Sequence, residues 1–207
     1  MRRTLLRPAI VVALVALTGP ALAGSAASTI TSFTEAWAWQ SAEAPRPSNE
    51  WLAWKLGREY AFAQLFTLSK QSAASEKSLG FARKCAKALG IAEPPPPASG
   101  SDSPNYSEAM AKEIDAKYGE KTGIYFHVGG HLTFALFGAA VGMDATVVKS
   151  FVARLASSLK SSGIPTSVWS TPLKAVQAKP SEPDLKKLDQ AIDDHLFRLP
   201  PVLPVSR

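Results

Sequence analysis

Between Ile124 and Met143 the chain runs for 20 residues without a formal charge, and that stretch narrows what the rest can fold into. A helix apolar on almost every face belongs either at the centre of a bundle or in a bilayer. Its length and the Gly138-x-x-x-Gly142 spacing suit a membrane helix. His127, His131, Gly129, Gly130, Gly138 and Gly142 make it a poor one, because polar groups in lipid are costly. The reading is therefore a buried helix of a soluble bundle, from Thr122 to Gly142.

The flanking segments carry helical periodicity. Ser48 or Asn49 starts a helix to about Ser72, with Trp51, Leu52, Leu56, Tyr60, Ala63 and Leu65 or Phe66 on its buried side. Ser75 to Leu89 follows, with Gly90 as a left-handed cap and Ile91 folding back onto it. A helix from near Ser107 aligns Tyr106, Met110, Ile114 and Tyr118. Asp144 caps another, with the stripe Val148, Phe151, Val152, Leu155 and Leu159, ended by Gly163-Ile164-Pro165. A short segment starts at Thr171-Pro172, where proline suits a first helical position. Ser181 with Asp184 opens a last helix carrying Leu185, Leu188, Ile192 and Leu196. A short helix through Ile30, Phe33 and Trp37 precedes them all. Residues 92–105 read as a proline-rich spacer and 200–207 as an extended tail. With no alternating strand pattern, the expected fold class is all-α.

The two long hairpins overlay. Leu56-Gly57 matches Val128-Gly129 and Phe62-Ala63 matches Phe134-Ala135, at a constant offset of 72 residues. After one inserted residue, Lys87, Gly90 and Ile91 match Lys160, Gly163 and Ile164. The expectation is a four-helix core built from two similar helical hairpins, plus short N-terminal and C-terminal helices, with Phe134 in the core.

The N-terminus reads as a secretory signal over residues 1–23. Arg2, Arg3 and Arg7 precede the apolar run Ala9 to Leu17, Gly19-Pro20 breaks it, and Ala21-Leu22-Ala23 gives the small-x-small cleavage pattern. Arg2-Arg3-Thr4-Leu5-Leu6 also fits a loose twin-arginine pattern. Residues 24–207 then form a single exported helical domain, periplasmic or extracellular. Removing the three signal arginines cuts the formal charge from +6 to +3, too little to argue for nucleic acid. Apolar residues at 46% and charged residues at 19% exclude a wholly disordered chain. Cys85, flanked by Leu79, Ala82, Ala86 and Leu89, reads as a small buried side chain.

Catalytic patterns are missing. There is no Gly-x-Ser-x-Gly elbow and no phosphate-cradling glycine loop, so the reading leans away from an enzyme and toward a binding or scaffold protein. Its partner would be a protein or small ligand in the exported compartment. Lys77, Arg83, Lys84 and Lys87, with Lys149, Arg154 and Lys160, offer basic faces for peripheral contact with anionic lipid or an acidic partner. Trp37, Trp39, Trp51 and Trp54 either clamp the N-terminal third onto the bundle or line a cleft.

One constellation carries chemistry. His127 and His131, four apart on a helix, project from one face and could hold a transition metal or a haem-type cofactor. Gly129 and Gly130 would let a cofactor or another helix approach, and a third ligand would come through folding from Asp193, Asp194 or His195. The plainer alternative is a pair at the edge of the core, bonded to a backbone carbonyl or to Tyr125.

Overall fold

Seven helices and no strand occur among the described residues of the computed structural model, which are 47–97, 104–119 and 121–200. The expected signal, the helix through Ile30, Phe33 and Trp37, and most of the C-terminal tail lie outside them. The helices are α1 (Asn49–Leu68), α2 (Ser72–Leu89), α3 (Pro104–Tyr118), α4 (Ile124–Ala140), α5 (Ala145–Ser162), α6 (Thr166–Ala178) and α7 (Glu182–Phe197). The fold is an all-α bundle.

The caps set most boundaries. Ser48 Oγ accepts from the Trp51 N–H at 3.0 Å, satisfying one of the free donors at the start of α1. Gly90, at φ 62°, closes α2 with a Schellman pair: its N–H donates to Lys87 O and that of Ile91 to Ala86 O. Asp144 Oδ1 accepts from the Thr146 N–H at 2.8 Å, and Gly163 at φ 79° ends α5. Ser181 Oγ accepts from the Asp184 N–H to start α7.

Several boundaries differ from the sequence reading, and α1 ends at Leu68 rather than at about Ser72. α2 begins at Ser72 rather than Ser75. α3 begins at Pro104 and takes the last two residues of the expected spacer, because proline needs no N–H at a helix start. α6 is a full helix with Pro172 inside it rather than a segment opened by that proline. Pro172 cannot donate to the carbonyl of Val168. The helix is held instead by buried Trp169, Leu173 and Val176, and Trp169 Nε1 donates to Ile164 O at 2.9 Å.

The core is laid out as α2–α1–α4–α5, each packed on the next, with α6 and α7 paired across α4, α5 and α1, and α3 seated on α4 and α1. At its middle, α1 and α4 cross backbone to backbone. A Cβ on Gly57 would collide with the Phe126 carbonyl and lie 2.9 Å from the Phe126 Cα. A Cβ on Gly129 would collide with the Trp54 carbonyl and lie 2.9 Å from the Arg58 nitrogen. The contact is reciprocal: Gly57 faces Phe126 and Gly129 faces Trp54, both pairs related by the same offset of 72 residues. Such close approach requires glycine and admits Cα–H···O contacts between the helices.

α1 is the most enclosed helix. Sixteen of its 20 residues are buried, including Lys55, Arg58 and Glu59, so it has no solvent face where the sequence reading gave it one. The apolar stripe of α7 (Leu185, Leu188, Ile192, Leu196) is fully buried as expected. Cys85 is also buried, and burial pushes its thiol up.

Alanine is about 1 kcal/mol better than glycine inside a helix. Gly57→Ala and Gly129→Ala are nevertheless expected to lower stability in urea unfolding by about 2 kcal/mol or more, because backbone must move to admit the methyl. Gly80, inside α2 with nothing within 4 Å of its would-be Cβ, is the control. Gly80→Ala is expected to be neutral or stabilising by up to about 1 kcal/mol.

Candidate functional site

α4 is buried except along one stripe. Before its last turn, the half-buried residues are Ile124, His127, Gly130, His131 and Phe134, spaced as one helical face. The rings of His127 and His131 lie nearly parallel, with centroids 6.0 Å apart and planes at 20°. Phe126 meets His127 edge-on at 5.9 Å. One turn further, Phe134 stacks on Phe151 of α5 with centroids 5.2 Å apart. Phe134 therefore sits at the rim of the core and not inside it. It stands on the stripe that α1 leaves uncovered, one helical turn beyond His131.

The neighbouring helices bracket this face. Asp115 of α3 accepts the Gly123 N–H at 2.7 Å, just ahead of α4, while Gly123 lies against the backbone of Ala111. On the other side His131 Nδ1 and Ser158 Oγ of α5 share a hydrogen bond at 3.1 Å. The partner of His131 is thus Ser158 rather than Tyr125 or a carbonyl. Burial holds both imidazoles below the ordinary histidine value. For His131, where the charges of His127 and Arg154 add to burial, the value falls to about 3. Both rings are neutral at pH 7.

The expected third ligand does not join them. Asp193 accepts a hydrogen bond from Trp51 Nε1 at 2.5 Å, Asp194 accepts one from Gln190, and His195 sits in the last turn of α7. Among the described residues no group of three or more His, Cys, Asp or Glu gathers in a metal-binding arrangement. The space left by Gly129 is filled by α1, and a Cβ on Gly130 would lie 3.8 Å from the Gly57 carbonyl oxygen. Of the two uses expected for these glycines, the structure shows the helix contact. No helix of the described residues is long and apolar enough to cross a membrane, α4 included.

A second cluster was not read from the sequence. Lys55, Arg58, Glu59 and Asp189 are each no more than 3% exposed. Arg58 Nη1 reaches both oxygens of Asp189, at 2.8 and 2.7 Å, and Lys55 lies 3.9 Å from Glu59. Trp54 lies under both cations, 5.5 Å from Lys55 Nζ and 5.3 Å from Arg58 Cζ. Burial pushes the Glu59 carboxyl up and the Lys55 amine down, both toward their neutral forms. It also pushes Asp189 up, against the pull of the Arg58 guanidinium. Together with Trp51–Asp193 and the bond from Ser48 Oγ to Leu196 O at 2.8 Å, the Arg58–Asp189 pair fixes α7 antiparallel to α1. The available signal was Asp189 beside Leu188 on the apolar edge of α7, facing a helix with charges three and four residues apart.

Compared with protein-family models, curated proteins and solved structures, the chain has no significant match in any of the three.

Two outcomes are expected. Removing either partner of the buried pair, by Arg58→Met or Asp189→Leu, should cost about 3–5 kcal/mol, and the double variant should cost less than either single one. Additive losses would mean that the two side chains do not interact. For His131, the folded value of about 3 lies below the ordinary 6.5. Its contribution to stability is therefore complete above pH 6.5 and is lost as pH falls from 6.5 toward 3, with a limiting slope of about 1.4 kcal/mol per pH unit. Glu59 and Asp189 titrate with the opposite sign, so the readout is the difference between wild type and His131→Gln in urea unfolding at pH 7 and pH 5. The wild type should lose more on acidification.

Proposed function

We propose that the chain is an exported, non-enzymatic helical-bundle protein that binds a ligand or partner through the half-open face of α4. The observation that supports this reading is the stripe His127, Gly130, His131 and Phe134 on a helix otherwise enclosed by its neighbours. An aromatic surface carrying a few polar nitrogens is what ligand-binding clefts are lined with. Arg154 on the exposed side of α5, whose charge reaches His131, adds a cation at its border. A second reading, a metal- or haem-binding bundle, is favoured by two imidazoles one helical turn apart on the same half-open stripe. The ion is the better fit of the two, since α1 occupies the gap beside Gly129 that a flat cofactor would use.

The test is a nuclear magnetic resonance titration of the metal-free, untagged chain with benzoate and with indole. Shifts are expected to centre on His127, Gly130, His131, Phe134, Arg154 and Ser158, and to weaken in Phe134→Ala. Shifts centred on another face, or none at millimolar probe, would set the reading aside. Export is tested by fractionating cells that make the chain with and without residues 1–23; retention of the shortened chain in the cytoplasm is the expected result.

A further inference from the structure

Resting on the reading of the α4 face as a binding site, we propose that its ligand is a divalent transition metal ion chelated by His127 and His131. The ion would keep open coordination positions for a second donor from solvent or a partner. Three observations carry this. The two imidazoles are one helical turn apart on the same half-open stripe, with ring centroids 6.0 Å apart. Ser158 engages Nδ1 of His131 at 3.1 Å, which leaves Nε2 as the ligating nitrogen and turns the Nδ1–H into a donor to the hydroxyl. Ser158 itself is buried on α5, so it holds the ring from a fixed position and acts as a positioning residue.

The rings are near enough for one ion to bridge them after side-chain rotation. With a metal–nitrogen bond of about 2.0–2.1 Å, each ring centroid lies roughly 3.2 Å from the ion, and a tetrahedral pair of imidazoles has centroids about 5.2 Å apart. The observed separation is 6.0 Å. Chelation therefore requires both rings to turn about their side-chain torsions so that their in-plane lone pairs converge, drawing the centroids together by about 0.8 Å for a tetrahedral ion and about 1.5 Å for a square-planar one. Neutral imidazole selects borderline ions such as Cu(II), Ni(II) and Zn(II), with Cu(II) bound most tightly, and offers nothing to Mg(II) or Ca(II), which take oxygen ligands. Because only two ligands come from the described residues, the bound ion remains reactive toward other donors, as a structural site with four protein ligands does not.

The test uses the untagged full chain, stripped of metal and titrated separately with Cu(II), Ni(II), Zn(II) and Mg(II) by calorimetry. One equivalent of Cu(II) with micromolar affinity, weaker Ni(II) and Zn(II), and no Mg(II) binding are expected. His127→Ala and His131→Ala should each weaken Cu(II) at least tenfold, and Ser158→Ala should weaken it by about tenfold. A paramagnetic resonance spectrum of wild-type protein with Cu(II) should show coupling to two imidazole nitrogens, a readout that does not depend on how the variants fold. No binding at millimolar Cu(II), binding unchanged by either histidine substitution, or a spectrum lacking two imidazole nitrogens would overturn the proposal. If the metal fails while benzoate or indole still maps to the α4 face, the binding-site reading stands and the metal assignment alone falls.

Discussion

Gly57 and Gly129 let α1 and α4 cross backbone to backbone, and the positions of the other helices follow from that crossing. Each glycine admits the backbone of the opposite helix where any side chain would collide with it. Helices ordinarily pack with axes 8–10 Å apart, and glycine pairs bring them nearer. The close contact leaves α1 one flank for α2 and α4 one flank for α5, which gives the row α2–α1–α4–α5. It also leaves the two central helices unequal: α1 is enclosed along its whole length, while α4 keeps one half-open stripe.

That inequality shows at corresponding positions. At the offset of 72 residues, Lys55 and Glu59 of α1 correspond to His127 and His131 of α4. The first pair is sealed from solvent, on the helix that α7 covers. The second is partly accessible and faces α3 and α5. Burying charge is costly, and a buried pair adds little net stability compared with a well-packed apolar pair. What the Arg58–Asp189 contact does supply is register. An α7 shifted by one residue would strand both charges in the core, so the pairing disfavours alternative seatings of an otherwise featureless leucine stripe.

The sequence was informative where local chemistry decides the outcome. Ser48, Asp144, Ser181, Gly90 and Gly163 act as caps as expected, because a cap depends on residues within one turn. The leucine stripe of α7 was legible for the same reason, and so was the buried side of α4, but not the half-open stripe that α4 keeps. Burial on α1 was not legible, because periodicity assumes that charges face water, and Lys55, Arg58 and Glu59 face Trp54, Asp189 and one another instead. Their burial depends on a residue 131 positions away in sequence. Pro172 misled through a sound local preference that tertiary packing overrode. At the candidate site, the spacing of His127 and His131 revealed their shared face, but Ser158 could be found only through the α4–α5 contact.

The crossing itself is best tested by nuclear Overhauser effects between α1 and α4 in the labelled, untagged chain. Strong contacts are expected from the Gly57 Hα protons to the Phe126 Hα, and from the Gly129 Hα protons to the Arg58 amide, since backbone atoms approach at both places. Finding both would establish the reciprocal glycine contact around which the bundle is arranged. If α1 and α4 are both formed and neither contact is seen, the two helices are separated by side chains, and the arrangement described for the core is contradicted.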